Sequence, residues 1–225
     1  MQTEILFGTS FSLARLTLAP GEQVRAEAGA LVSMDASMKV ETGTTGGLFK
    51  SFKRSVMGGE SLFMNTFTAD QDGSELTLAP ALLGAIEVLH LQGTDMMVQS
   101  GSYLASEIGI DVDTKWGGAR SFFGGEGLFL LKCSGQGTLV VSSYGAIYKV
   151  SLQQGRIYTV DTGHIVAFDS TLTYNIRKVG SWKSTIFGGE GLVVDFSGTG
   201  DVYVQTRSQQ AFLGWLIPNL PSQRN

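Results

Sequence analysis

One seven-residue segment recurs three times in this chain. It reads Met57-Gly58-Gly59-Glu60-Ser61-Leu62-Phe63, then Phe123-Gly124-Gly125-Glu126-Gly127-Leu128-Phe129, then Phe187-Gly188-Gly189-Glu190-Gly191-Leu192-Val193. The copies are spaced by about the length of one small domain, and a motif that repeats at such a period is architecture before it is chemistry. A second marker runs ahead of each copy. Gly21 and Gly29, Gly93 and Gly101, and Gly155 and Gly163 form three pairs with one common spacing.

An alternating apolar segment leads into each pair: Leu13 to Leu18, Ile86 to Leu91 and Ile147 to Leu152. Leu16 with Leu18, Leu89 with Leu91, and Tyr148 with Val150 and Leu152 fall on one face at period two, so each segment predicts a strand. The first glycine of each pair suits a turn that needs positive φ. Further strands are expected at Leu62 to Phe67, Leu128 to Cys133 and Leu192 to Phe196. Glycine turns at Asp72-Gly73, Gly135-Gln136-Gly137 and Gly198-Thr199-Gly200 follow them. A last strand carries Val202, Val204 and Thr206 on one face. With 30 glycines against 4 prolines, the composition fits many strands joined by tight turns.

The expected architecture is all-β, with three tandem β-sandwich or short double-stranded β-helix repeats packed as one unit. The divisions are 1–80 (repeat one with an N-terminal strand), 81–145, 146–208 and an apolar C-terminal tail at 209–225. Each repeat is too small to be secure alone and should bury a face against its neighbours. A pseudo-threefold ring is the most economical packing, so that one chain imitates a homotrimer; a straight row competes with it.

The triple Gly-Gly-Glu pattern, the segment Gln99-Ser100-Gly101-Ser102-Tyr103-Leu104-Ala105 and the tail Phe212-Leu213-Gly214-Trp215-Leu216-Ile217-Pro218 together resemble the bacterial branch of the altered-inheritance-of-mitochondria family, member twenty-four type. The resemblance covers nearly the whole chain. It implies a β fold like that of the tryptophan RNA-binding attenuation protein, a short double-stranded β-helix, in tandem. Eukaryotic members of the family are mitochondrial proteins linked to inner-membrane organisation. The family supplies no catalytic motif to carry over.

Bulk composition narrows the function classes. The net charge of −4 argues against a dedicated nucleic-acid binder. A single cysteine, Cys133, permits no disulfide within the chain and fits a reducing compartment. The first residues show no basic-then-apolar leader, and no apolar run reaches bilayer-spanning length. The expected location is cytoplasmic, at most peripheral to a membrane.

Candidate chemistry is sparse. His90 and His164 occupy non-equivalent positions and lie in no metal-binding spacing, so no metal or other cofactor is expected. Cys133 aligns with Phe67 and Phe196 and reads as a small core residue. Glu60, Glu126 and Glu190 read as acceptors for N–H groups freed beside Gly58-Gly59, Gly124-Gly125 and Gly188-Gly189. A convergent carboxylate cluster binding a cation is the competing reading.

The loops ahead of the motif hold the sharpest asymmetry. They carry Lys50, Lys53, Arg54, Lys115, Arg120 and Lys183 and no carboxylate, whereas the rest of the chain holds all 20 acidic residues. The same loops hold Phe52, Trp116 and Trp182. Cations beside aromatic rings suit an anionic membrane surface. The tail adds Phe212, Trp215 and Leu216 at helical i, i+3, i+4 spacing, a short apolar stripe stopped by Pro218. The expectation is therefore a non-enzymatic interaction or scaffold protein, a homo-oligomer that engages an anionic membrane surface or a protein partner. The competing expectation is a small-molecule or RNA-binding module that uses grooves between repeats.

Overall fold

A computed structural model describes residues 1–42, 64–113, 128–179 and 192–221, with backbone alone at 122–123 and Leu128. Within them the protein is mostly β, with three antiparallel sheets and one α-helix. The nine glycines and glutamates of the threefold motif (Gly58, Gly59, Glu60, Gly124, Gly125, Glu126, Gly188, Gly189, Glu190) all lie outside the described residues.

The first sheet has the order β1 (Gln2–Leu6), β2 (Leu13–Leu18), β7 (Ser74–Leu78), β4 (Leu31–Met34). The second, of twelve strands, follows a path through β14 (Ile147–Leu152), β19 (Gly200–Gln205), β16 (Ile165–Asp169), β9 (Met96–Gln99), β13 (Leu128–Ser142), β10 (Tyr103–Glu107), β3 (Gln23–Glu27), β6 (Met64–Ala69) and β5 (Met38–Thr42). Three more strands, β8 (Ile86–Gln92), β11 (Ile110–Asp113) and β12 (Phe122–Phe123), pair with β13 off that path. The third sheet is β15 (Ile157–Asp161), β18 (Leu192–Ser197), β17 (Thr173–Lys178).

Sequence alternation turns directly into burial where a strand faces the core. In β2, Ala14, Leu16 and Leu18 point inward while Leu13, Arg15 and Thr17 are half-exposed. In β14 only Val150 and Leu152 are buried; Tyr148 shares their face but lies beyond the core edge and is exposed. The expected strands at Leu13 to Leu18 and Ile147 to Leu152 form with those bounds.

The expected turn at Gly135-Gln136-Gly137 is instead a kink inside one long strand. Residues 130–135 of β13 pair with β9 and β11, and residues 136–142 pair with β8 and β10. Gly135 and Gly137 sit at φ +114° and +137°, a region that side chains rarely adopt. A Cβ at Gly135 would lie 2.3 Å from the Gly109 carbonyl oxygen, so the close passage of β13 over β11 also requires glycine.

Three clusters make up the core, and each borrows residues across segment boundaries. One centres on β2, β3, β6 and β7 but includes Ile86, Leu104 and Val140. The second holds Leu89, Tyr103, Cys133 and Leu139, and takes in Val166 and Tyr203. The third surrounds Phe168 and Phe196, whose ring centroids are 4.9 Å apart, and includes Met97 and Leu130. Cys133 is fully buried, as its alignment with Phe67 and Phe196 implies, and burial pushes its thiol up to about 12. It is therefore a packing residue with little thiolate near neutrality.

Helix α1 (Gln209–Asn219) follows β19 directly. Ser208 starts it: its Oγ accepts the Ala211 N–H at 3.3 Å, a standard N-cap. Pro218 sits inside the last turn rather than stopping it, and the helix ends one residue later.

Candidate functional site

A groove of about 700 Å³ opens where α1 meets the β body. Its walls come from five stretches far apart in sequence: Glu27 at the end of β3, Pro80 to Leu82, Gln99 with Gly101 and Ser102, Ser142 to Tyr144, and Thr162 and Gly163 with Ile165. Gln205, Ser208, Leu213 and Gly214 close one side. Two tight 3-10 turns, Ser100–Ser102 and Thr162–His164, shape the floor.

Gln205 ties this end together. Its Oε1 accepts the Tyr144 N–H at 2.8 Å, its Nε2 donates to the Gly163 carbonyl at 3.0 Å, and its own carbonyl accepts from His164 Nδ1 at 2.7 Å. The Gly163 N–H in turn donates to Asp161 at 2.8 Å. A Cβ on Gly163 would stand 2.7 Å from Ser208 Oγ, so glycine is what lets the helix start pack here.

Among the described lining residues Glu27 is the one carboxylate, and none is Lys or Arg. Burial raises its carboxyl from the ordinary 4.5 to about 7, so it gains or loses a proton near neutrality. Hydroxyls, amides and one half-ionised carboxyl make a hydrogen-bonding surface suited to neutral or cationic polar groups. A phosphate would find no cation among the described lining residues. Neither Glu27 nor Gln205 stands out in the sequence. The available signal was positional: Glu27, Gln99 and Asp161 each precede Gly29, Gly101 and Gly163 by two residues.

The helix presents an unusual surface. Phe212 and Leu216 are half-buried, and the Phe212 ring stands edge-on to Tyr144 with centroids 5.9 Å apart. Trp215 does not join them: it is 64% exposed, with Ile217 at 63% and Leu213 and Leu220 also outward. So the three tail residues marked by helical spacing divide, two toward the body and one toward solvent. No charged residue occurs anywhere in α1.

The remaining candidate surface residues, Lys50, Phe52, Lys53, Arg54, Lys115, Trp116, Arg120, Trp182 and Lys183, lie outside the described residues. The strands that flank these loops are partners in antiparallel pairs, with Thr42 opposite Asn65, Asp113 opposite Lys132, and Lys178 opposite Leu192. His90 is exposed on β8 and His164 is held by Gln205. Among the described residues no three His, Cys, Asp or Glu side chains converge as a metal-ligand set. None of the described helices is long and apolar enough to cross a membrane.

The fold is thus an antiparallel β body with a short apolar helix at one end. The chain belongs to the AIM24 family, whose model, described as mitochondrial biogenesis AIM24, matches residues 4–207. It is similar to an uncharacterized protein of Streptococcus pyogenes serotype M6, Spy0233, at 32% identity over 223 residues, covering 96% of this chain and 89% of the relative. The crystal structure of protein SPYM3_0169 from Streptococcus pyogenes is similar too. It is 29% identical with a TM-score of 0.80, covering 97% of this chain and 99% of that one.

Proposed function

We propose that this protein is a non-enzymatic interaction or scaffold protein that works at an anionic membrane surface, reached through α1 and the basic aromatic loops. The observation that carries the reading is α1 itself: eleven residues without a charge, none of them buried, with Trp215 and Ile217 turned outward. A tryptophan beside aliphatic residues on an exposed face is what settles at a headgroup boundary, and basic loops supply the attraction to an anionic lipid. The location is peripheral to a membrane from the cytoplasmic side.

The body that carries this surface is read as three tandem β-sandwich units packed as one. Two features support that reading. A register shift recurs at one offset from the second glycine of each pair: between Leu31 and Ser33, between Tyr103 and Ala105, and between Ile165 and Ala167. The pairing scheme recurs as well. Strands β2, β7 and β4 accompany β3, β6 and β5; strands β14, β19 and β16 accompany β15, β18 and β17. In the middle, the two halves of β13 take the place of two strands each time.

The test is co-sedimentation with anionic and neutral vesicles at low and high salt. Wild type should pellet with anionic vesicles and less so as salt rises. Trp215→Ser with Ile217→Ser should lose most binding, and changing Lys50, Lys53 and Arg54 to Ser should remove the salt-sensitive part. Equal recovery in the supernatant for all vesicles would defeat the reading. The groove favours a second reading, a module for small polar ligands, because its walls are built from distant segments. A thermal-shift screen of neutral and cationic polar compounds, with Gln205→Ala as control, tests it. The absence of lysine and arginine among the described lining residues weighs against RNA.

A further inference from the structure

Glu27, Gln99 and Asp161 each stand two residues ahead of the second glycine of a pair. Two of the three are taken up by their own turns. Asp161 Oδ1 accepts the Gly163 N–H at 2.8 Å. The Gln99 amide folds over Gly101, where a Cβ would lie 3.2 Å from its Oε1. Glu27 serves no turn: a Cβ on Gly29 would meet nothing within 4 Å. Its carboxylate has no hydrogen-bond or ion-pair partner among the described residues, and burial alone accounts for its raised carboxyl. A half-buried acid without a partner weakens the fold it sits in, and such costs are kept where a site needs them.

Resting on the reading of the groove as a site for small polar ligands, we infer that it binds an organic cation with N–H donors, an alkylammonium or guanidinium compound, and that the Glu27 carboxylate is the counter-ion. The neighbouring walls suit such a molecule. Gln99, Ser102 and Thr162 add oxygens that accept N–H groups, and Leu82, Ile165 and Leu213 supply apolar wall for an alkyl chain. At about 700 Å³ the groove holds more than the cationic group alone, within the range of small-molecule sites.

Charge decides the class. Ionised Glu27 is the one full charge among the described lining residues. The start of α1 opposes it with at most about half a positive charge, and Ser208 Oγ already takes up the Ala211 N–H there at 3.3 Å. The wall therefore favours a cation over an anion. It also favours N–H donors over a quaternary ammonium, which is held by several aromatic faces. Tyr144 is the one ring in the described lining, and Phe212 stands 5.9 Å from it, centroid to centroid. An ammonium carried beside a phosphate, as on a phospholipid headgroup, is disfavoured because no described lining residue is a Lys or Arg.

Calorimetric titration of the full chain at about pH 8, above the Glu27 value of about 7, tests this. The probes are putrescine and agmatine, with butanediol as the neutral match, choline as the quaternary one and phosphoethanolamine as the headgroup. Putrescine or agmatine should bind wild type, and Glu27→Gln should weaken that binding by at least about tenfold. Thermal melts check that the variant is folded. Butanediol, choline and phosphoethanolamine should each bind at least about tenfold more weakly than the better amine. Butanediol binding as tightly as the amines, in both proteins, would keep the groove as a ligand site and overturn the cation. Amine binding untouched by Glu27→Gln would overturn Glu27 as the counter-ion. Phosphoethanolamine binding better than either amine would overturn the free cation in favour of a headgroup. No heat from any probe would overturn both the cation and the reading of the groove as a ligand site.

Discussion

Strands β10 and β4 occupy the same place in the local pattern and meet opposite fates. Tyr103 to Glu107 is buried almost throughout; Leu31 to Met34 is exposed at every residue, with Val32 57% accessible. Their composition does not explain this, since Leu-Val-Ser-Met is at least as apolar as the Tyr-Leu-Ala-Ser that holds the matching positions. What differs is the neighbour. Strand β10 has β3 on its second edge, and Arg25 of β3 reaches past it to donate to the Ile108 and Ile110 carbonyls at 2.9 and 2.8 Å. For these two strands burial follows the adjacent segment and not the strand's own composition.

The comparison breaks most visibly with a charge. Ala105→Lys in β10 puts an ammonium where nothing can solvate it and should cost about 4 kcal/mol or more. Met34→Lys in β4 should change the stability by less than about 1 kcal/mol. Urea denaturation at low protein concentration measures both, and similar losses would mean that β4 is covered after all.

Truncation sharpens the same contrast. Phe168 and Met34 hold matching positions, but Phe168 is buried against Tyr174 and Phe196, with ring centroids 5.2 and 4.9 Å away. Phe168→Ala should lose about 3–5 kcal/mol; Met34→Ala should lose about 0.5 kcal/mol or less. The pair of denaturation midpoints decides it.

Glu27 gives a smaller, pH-dependent effect. Its carboxyl ionises at about 7 in the fold and near 4.5 when unfolded. The unfolded chain releases that proton first, so the native state carries a cost that is absent below pH 4.5, grows up to pH 7 and is complete above it. Glu27→Gln should therefore stabilise the protein by about 1–2 kcal/mol at pH 8, discounted for partial exposure, and by almost nothing at pH 4. Thermal melts at the two pH values report the difference. A gain of equal size at both would place the effect in packing instead of ionisation.

Smallest of all should be Trp215→Ser, within about 0.5 kcal/mol by the same melts, because the ring is mostly in solvent. A loss of several kcal/mol would mean that the helix is clamped to the body through Trp215, contrary to its exposure.

Much of the local structure was legible in the sequence because its cause is local. Period-two alternation marked β2, β8 and β14, and positive φ at Gly21, Gly93 and Gly155 marked the turns after them. The spacing of Phe212 and Leu216 marked the helix. What was not legible is long-range. Nothing local in Leu128 to Ser142 separates a kinked single strand from two strands with a turn; the decision lies in how closely Gly135 and Gly137 approach Gly109 and Glu107. The groove at Glu27 is assembled from segments more than a hundred residues apart, so no window of sequence contains it. Spacing says which residues neighbour one another, as Phe212 and Trp215 do with ring centroids 6.3 Å apart, but not where the body stops, which leaves Trp215 mostly in solvent.

The neighbouring strand confers burial on β10 and β16, and β4 lacks such a neighbour among the described strands. Hydrogen exchange at β4, compared with β10 and β16, tests this most directly. Amides of β4 that do not bond to β7 should exchange fast, while those of β10 and β16 stay protected. Amides of β4 uniformly as slow as those of β10 would contradict it.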